Sequence, residues 1–276
     1  MLRATALIVL CLACSSVNLG QTPSPQNPIS SPKIKAHDSV RVSAGIPKEQ
    51  LENEDKYRAA FAAAIDAKKS QKYEIALQDF QEAERLTGRL TETRYVSLQE
   101  TLEQEADCLL VLKRYEEAEN VYKKRTEALR IWTDEYDGAY AHNFINLAIV
   151  RGLQGDWPSA DAYSQQAMKA YDKVIDHFSG KDDPAEIAIA ERRAKAIDMY
   201  WVGLIYFREN KPDDCFATLD RAFTSASELH ATPKNLATIA SAGRDIAIQS
   251  GRPDEVAKWK NRLESLASSG AAPRPN

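Results

Sequence analysis

Glycine, histidine and cysteine are all scarce in this chain. Its 276 residues include 11 Gly, four His and four Cys. No two glycines are spaced as a dinucleotide- or phosphate-cradling loop requires, which excludes the commonest nucleotide-binding turns. No His pair stands at metal-ligand spacing and no Ser is flanked by glycines as a nucleophile elbow demands. His37, His142, His177 and His230 are isolated from one another. Neither an enzyme, nor a cofactor, nor a bound metal is therefore expected. An excess of positive charge is missing too: 36 basic residues face 40 acidic ones, for a net charge of −4. A polyanion such as nucleic acid is not an expected partner. Nor is there an apolar run long enough to span a bilayer.

The longest apolar stretch, Ala4 to Cys14, follows the lone charge of Arg3 and gives way to small polar residues. That order matches an export signal, and residues 1–20 are read as one, with cleavage after Ser15 or after Gly20. Leu12 and Ala13 before Cys14 also resemble the box that precedes a lipidated cysteine, although Cys11 stands where such a box usually has Leu. A membrane enters the reading only through that lipid. Removing the signal leaves Cys108 and Cys215, both in apolar helical patterns and read as buried small hydrophobes. A disulfide between them is the open alternative. The remaining chain has no Asn-x-Ser/Thr acceptor, which fits a periplasmic or secreted protein of a bacterial envelope.

Residues 21–47 hold Pro23, Pro25, Pro28, Pro32 and Pro47 among Ser, Gln and Asn, with no apolar period. Such a composition predicts a disordered tether, and residues 269–276 a disordered tail. Between them, the prolines mark helix starts. Asp183, Pro184 and Glu186 supply a cap, a first-turn proline and a capping-box acid in order. Thr232 before Pro233 repeats the device, and Pro158, Pro212 and Pro253 each follow a polar break. Sustained alternation of period two is absent, so residues 48–268 are expected to be all helix.

This helical region repeats itself. Gln71-Lys72-Tyr73 leads to Ala76, Lys113-Arg114-Tyr115 to Ala118, and Gly155-Asp156-Trp157 to Ala160. Asn210-Lys211-Pro212 leads to Cys215, and a weaker copy runs from Gly251 to Val256. The steps between the small anchors are 42, 42, 55 and 41 residues, so about thirteen residues are inserted around Asp176 to Glu191. Those residues lengthen the first helix of repeat four or fold over it. A fixed period of this length is the signature of stacked helical hairpins.

The pattern resembles the tetratricopeptide repeat (TPR) family. Small residues at Ala148 and Gly203 in helix A and at Ala76, Ala118, Ala160 and Cys215 in helix B carry the likeness. Glu116-Glu117 before Ala118 and the run Asn146-Leu147-Ala148 are similar to the 42-residue, kinesin-light-chain variety. Arg125 and Arg244 depart from the small residues usual at their positions. The resemblance implies an all-α, right-handed α-α superhelix of about five helix pairs, with HEAT-type repeats as the structural alternative. It also implies a concave groove lined by the A helices, with Glu103, Gln104 and Asp107 from repeat two. Repeat three contributes His142, Asn146 and Ile149, and repeat four contributes Tyr200 and Leu204.

Asn146 is the residue most specific to this likeness, because its counterparts in similar repeats bond the backbone of an extended peptide. The competing role for Asn146 is bonding a neighbouring repeat. Gln104 and Trp201 at the matching places break the Asn ladder. Glu100, Glu103 and Asp107 form a stripe that either attracts a basic segment or is paired internally by Arg58 and Lys68. The expected function is a non-catalytic scaffold holding another protein or a peptide. The alternative is a structural or self-associating envelope protein whose groove is filled by the chain itself.

Overall fold

The computed structural model describes residues 48–90, 94–132, 137–179 and 185–268. The expected leader with Cys14, the tether, the tail and the Asp183–Pro184 cap lie outside the described residues. Ten helices and no strand occur among the described residues. The chain divides into two compact units between Trp132 and Thr133. The first holds α1 (Lys48–Lys69), α2 (Tyr73–Thr87), α3 (Arg94–Val111) and α4 (Tyr115–Trp132). The second holds α5 (Gly138–Leu153), α6 (Trp157–Phe178), α7 (Ala185–Arg208), α8 (Pro212–Glu228), α9 (Pro233–Gln249) and α10 (Pro253–Ser268).

Each odd-numbered helix pairs with the even one that follows, and that helix packs in turn on the next odd one within its unit. The sequence period becomes visible in the turn inside each pair. Gln71, Lys113, Gly155, Asn210 and Gly251 all adopt positive φ, between 59° and 84°. At each, the following N–H reaches back five residues to a helix carbonyl: Lys72 to Ala67, Arg114 to Leu109, Asp156 to Arg151, Lys211 to Tyr206 and Arg252 to Ala247, at 2.9–3.0 Å. This double-bonded helix ending satisfies carbonyls that would otherwise be orphaned. Five turns with one backbone geometry, five residues before each anchor, turn the sequence period into a structural one.

Helix starts follow the prolines. Pro212, Pro233 and Pro253 are the first residues of α8, α9 and α10, and Pro158 lies in the first turn of α6. Asp156 accepts from Ser159 N at 3.2 Å and Thr232 from Asn235 N at 3.3 Å, each satisfying one free donor. Ala76, Ala118, Ala160 and Cys215 are fully buried where the paired helices approach. A β-carbon on Gly203 would sit 2.9 Å from Leu219 Cδ2, so α7 and α8 need a residue without one at that point. Large side chains fill the remaining space: Phe80 and Tyr122 in the first unit, Tyr171 and Trp259 in the second, each 0–1% exposed. Burial of this kind stabilises by roughly 1.5–3 kcal/mol per large side chain.

The inserted length lies partly in α7, whose 24 residues compare with 18 in α3 and 16 in α5. Helix A of repeat four is therefore lengthened. Cys108 and Cys215 are both free and buried, and burial pushes their thiols up to about 11 and about 12. Neither is a thiolate near neutral pH, so neither is an activated nucleophile. No described helix is long and apolar enough to cross a membrane.

Candidate functional site

In the first unit the acidic stripe is engaged by cations from neighbouring helices. Lys68, near the end of α1, donates to Gln104 Oε1 at 2.7 Å and to Asp107 Oδ2 at 2.9 Å. Tyr122 of α4 donates to Asp107 Oδ1 at 3.2 Å. Arg125 of α4 donates to Glu103 Oε2 at 3.0 Å and to the carbonyl of Gln99 at 3.3 Å. Arg125 is 4% exposed, so the large residue at a usually small position serves as the buried counter-ion of Glu103. Burial raises the Asp107 carboxyl and Lys68 pulls it back, which is the balance of a desolvated pair. Arg58 contributes nothing here, because it pairs with Glu54 one turn away in α1. Glu100 alone of the stripe stands exposed.

In the second unit His142 is buried at 8% exposure, and its Nδ1 lies 2.9 Å from Asp198 Oδ2 of α7. The same carboxylate oxygen accepts from the Tyr171 hydroxyl of α6 at 2.7 Å. One carboxylate thus ties together α5, α6 and α7. Glu191 lies two turns earlier on α7, with its carboxyl against Gly138 at the start of α5. A β-carbon on Gly138 would fall 1.9 Å from Glu191 Oε2, so the glycine makes room for the acid. Burial pushes the Glu191 carboxyl up to about 7, helped by Asp137 and Asp198 and opposed by His142.

The other expected groove residues divide. Tyr200 is 8% exposed and belongs with Leu219, Ile239 and Trp259 to the core of the last repeats, and Leu204 packs against that core. Ile149 is partly buried against Ile145, Ala167 and Val202. Asn146 is 5% exposed as a residue, and its side-chain amide reaches solvent. In the second unit, then, the expected groove positions hold a buried carboxylate centre at His142 and a solvent-reaching amide at Asn146.

Asp198, Tyr171 and Glu191 are absent from the sequence expectations. They come from separate stretches of chain, and nothing in their local pattern announces a shared centre. Asp198 and Glu191 fall within a helix whose apolar period is weak, which is the one sequence signal that buried polar groups leave. Among the described residues no group of three or more His, Cys, Asp and Glu could hold a metal ion.

No protein-family model and no curated protein matches the chain. Solved structures do. BtubC (BKLC) from P. vanneervenii is similar with a TM-score of 0.58 and 14% identity, over 83% of this chain and 93% of that one. A Podosopora anserina protein, described as a kinesin light chain with nearly identical TPR-like repeats, has a TM-score of 0.50 and 9% identity. That match covers 78% of this chain and 97% of the other. A point variant of the same protein has a TM-score of 0.51 and 8% identity, over 82% of this chain and 99% of that one. Identities this low speak for the fold alone, and on that ground, with the repeated turns and buried anchors, the chain has the tetratricopeptide-type repeat fold in five helix pairs.

Proposed function

We propose that the chain is a non-catalytic scaffold that holds an extended peptide or protein segment at Asn146, on helix A of repeat three. The supporting observation is the Asn146 amide, which no side-chain bond among the described residues occupies and which reaches solvent from a residue otherwise buried. A solvated amide is free to exchange water for a ligand, and a peptide backbone offers the donor and acceptor that an amide needs. Helical repeats present extended surfaces suited to such ligands. The cations already on Glu103 and Asp107 argue against selection of the ligand for basic charge. Ligand recognition then rests on backbone bonding and on apolar contact at Ile149.

The test is selection of random extended peptides against the purified chain, followed by titration of one enriched peptide with Asn146→Ala. Loss of one or two net hydrogen bonds should weaken binding about five- to a hundredfold, with unchanged thermal stability. Unchanged affinity together with a lowered melting temperature would make Asn146 a stacking residue and end the reading. Enrichment of no peptide, with self-association in solution, would favour the structural alternative.

We further propose that residues 1–20 direct export to a bacterial envelope, supported by the Arg3 charge and the apolar run to Cys14. Intact-mass measurement of the expressed chain decides between cleavage after Ser15 or Gly20, a lipidated Cys14, and an uncut leader that would refute export.

A further inference from the structure

The fold places a carboxyl where its own repeats place apolar residues. Thirteen residues before each anchor stand Glu105, Leu147, Val202 and Gly243 in repeats two to five, and all four are buried. In repeat two that position belongs to α3, which packs on α2 and α4. Glu105 is 4% exposed. Its Oε1 accepts from Gln81 Nε2 of α2 at 3.4 Å, and its Oε2 is buried with no hydrogen-bond partner in the structure. Beside it on α2 lies the carboxyl of Glu84. The nearby cation, Lys124 of α4, is bonded to Glu84 and leaves Glu105 without a counter-ion of its own. From α1, Lys68 is engaged by Asp107 and Gln104. The remaining titratable group facing it, the Cys108 thiol, is neutral near pH 7.

A buried carboxyl beside a second, partly exposed one, with one shared and half-exposed cation, cannot be ionised at low cost. The open Oε2 is where a proton resolves the conflict. A protonated Oε2 donates to the Glu84 carboxylate, Lys124 neutralises the remaining charge, and every buried polar atom of the pair is then satisfied.

We propose that Glu84 and Glu105 form a proton-operated latch between repeats one and two. A single shared proton holds α2 against α3, and its release to solvent sets two carboxylates against each other and loosens that contact. Burial first, and the neighbouring Glu84 charge second, push the Glu105 carboxyl up to about 7, which fits the geometry. The open form exposes Glu105 to water and returns it to the ordinary carboxylate range. The closed form therefore binds a proton that the open form has lost between about pH 4.5 and 7, and the latch weakens as pH rises through that window.

Hydrogen exchange of the full chain at pH 5 and pH 8, corrected for intrinsic rates, tests the latch. Amides of α2 and α3 should lose at least about tenfold in protection at pH 8, while those of α9 and α10 change much less. Glu105→Gln keeps the shape and removes the titration, and Glu105→Leu restores the apolar residue of the other repeats. Both should abolish the loss. Equal wild-type protection of α2 and α3 at the two pH values would overturn the proposal, as would a loss that persists in either variant. Carboxyl-carbon NMR of the wild-type chain gives an independent reading. A Glu105 midpoint near 7 supports the latch, and one in the ordinary carboxylate range overturns it.

Discussion

Removing the Lys68 ammonium should cost the first unit far more than deletion of a typical lysine. Its Nζ lies 2.9 Å from Asp107 Oδ2, and the two side chains are 8% and 12% exposed. Exposed pairs contribute about 0–1 kcal/mol, whereas deleting one member of a buried pair costs about 3–5 kcal/mol because a charge is left stranded. In Lys68→Met the Asp107 carboxylate keeps only the Tyr122 hydroxyl, at 3.2 Å. Gln104 loses its donor as well. At pH 8 the expected loss is about 3 kcal/mol or more. At pH 5 it should shrink, because Asp107, already raised by burial, takes a proton once Lys68 no longer pulls it down. Asp107→Leu in the same chain removes the stranded charge, so the double variant should recover most of the loss. A double-mutant cycle by urea unfolding at both pH values, followed by circular dichroism, measures the coupling. A single-variant loss below about 1 kcal/mol, or an additive double variant, would refute the reasoning and return the pair to the class of solvated surface pairs.

Glu191 is raised to about 7 chiefly by burial, so the native chain holds a proton that the unfolded chain has lost. Its contribution to stability falls as pH rises from about 4.5 to 7, and Glu191→Gln should be more stable than wild type at pH 8, by about 3 kcal/mol at most. The comparison is read from unfolding at pH 5 and 8. Lys113→Gly should raise stability by about 0.5–1 kcal/mol, because φ of 60° strains every residue with a β-carbon; a melting curve checks it. Gly243→Ala should cost about 1–3 kcal/mol, because its β-carbon would lie 2.4 Å from the fully buried Trp259 ring. Trp259 fluorescence during unfolding reports that change. Affinity for a basic peptide should vary little with salt, since Glu103 and Asp107 already hold cations. A steep salt dependence would restore the stripe as a steering surface.

The helical hairpins, their number and their turns were legible in the sequence because they rest on local rules. A small anchor every 42 residues, Pro212 or Pro233 at a first turn, and Thr232 as a cap each act within a few residues of chain. The positive φ at Gln71, Lys113 and Asn210 follows the same register even without glycine, because the double-bonded helix ending dictates the turn. The groove was only partly legible. Helical spacing could put Glu103 and Asp107 on one face, but the presence of Lys68 and Arg125 there depends on how α1 and α4 lie against α3. Periodicity could not separate Tyr200 and Leu204, which join the core of the last repeats, from Asn146, whose amide reaches solvent. The Asp198 centre, which joins His142 and Tyr171, and the Glu84–Glu105 pair were beyond the sequence altogether. Each needs side chains from separate helices brought into one contact. Only the tertiary structure decides which charges lose their water, and with it which carboxyls keep a proton.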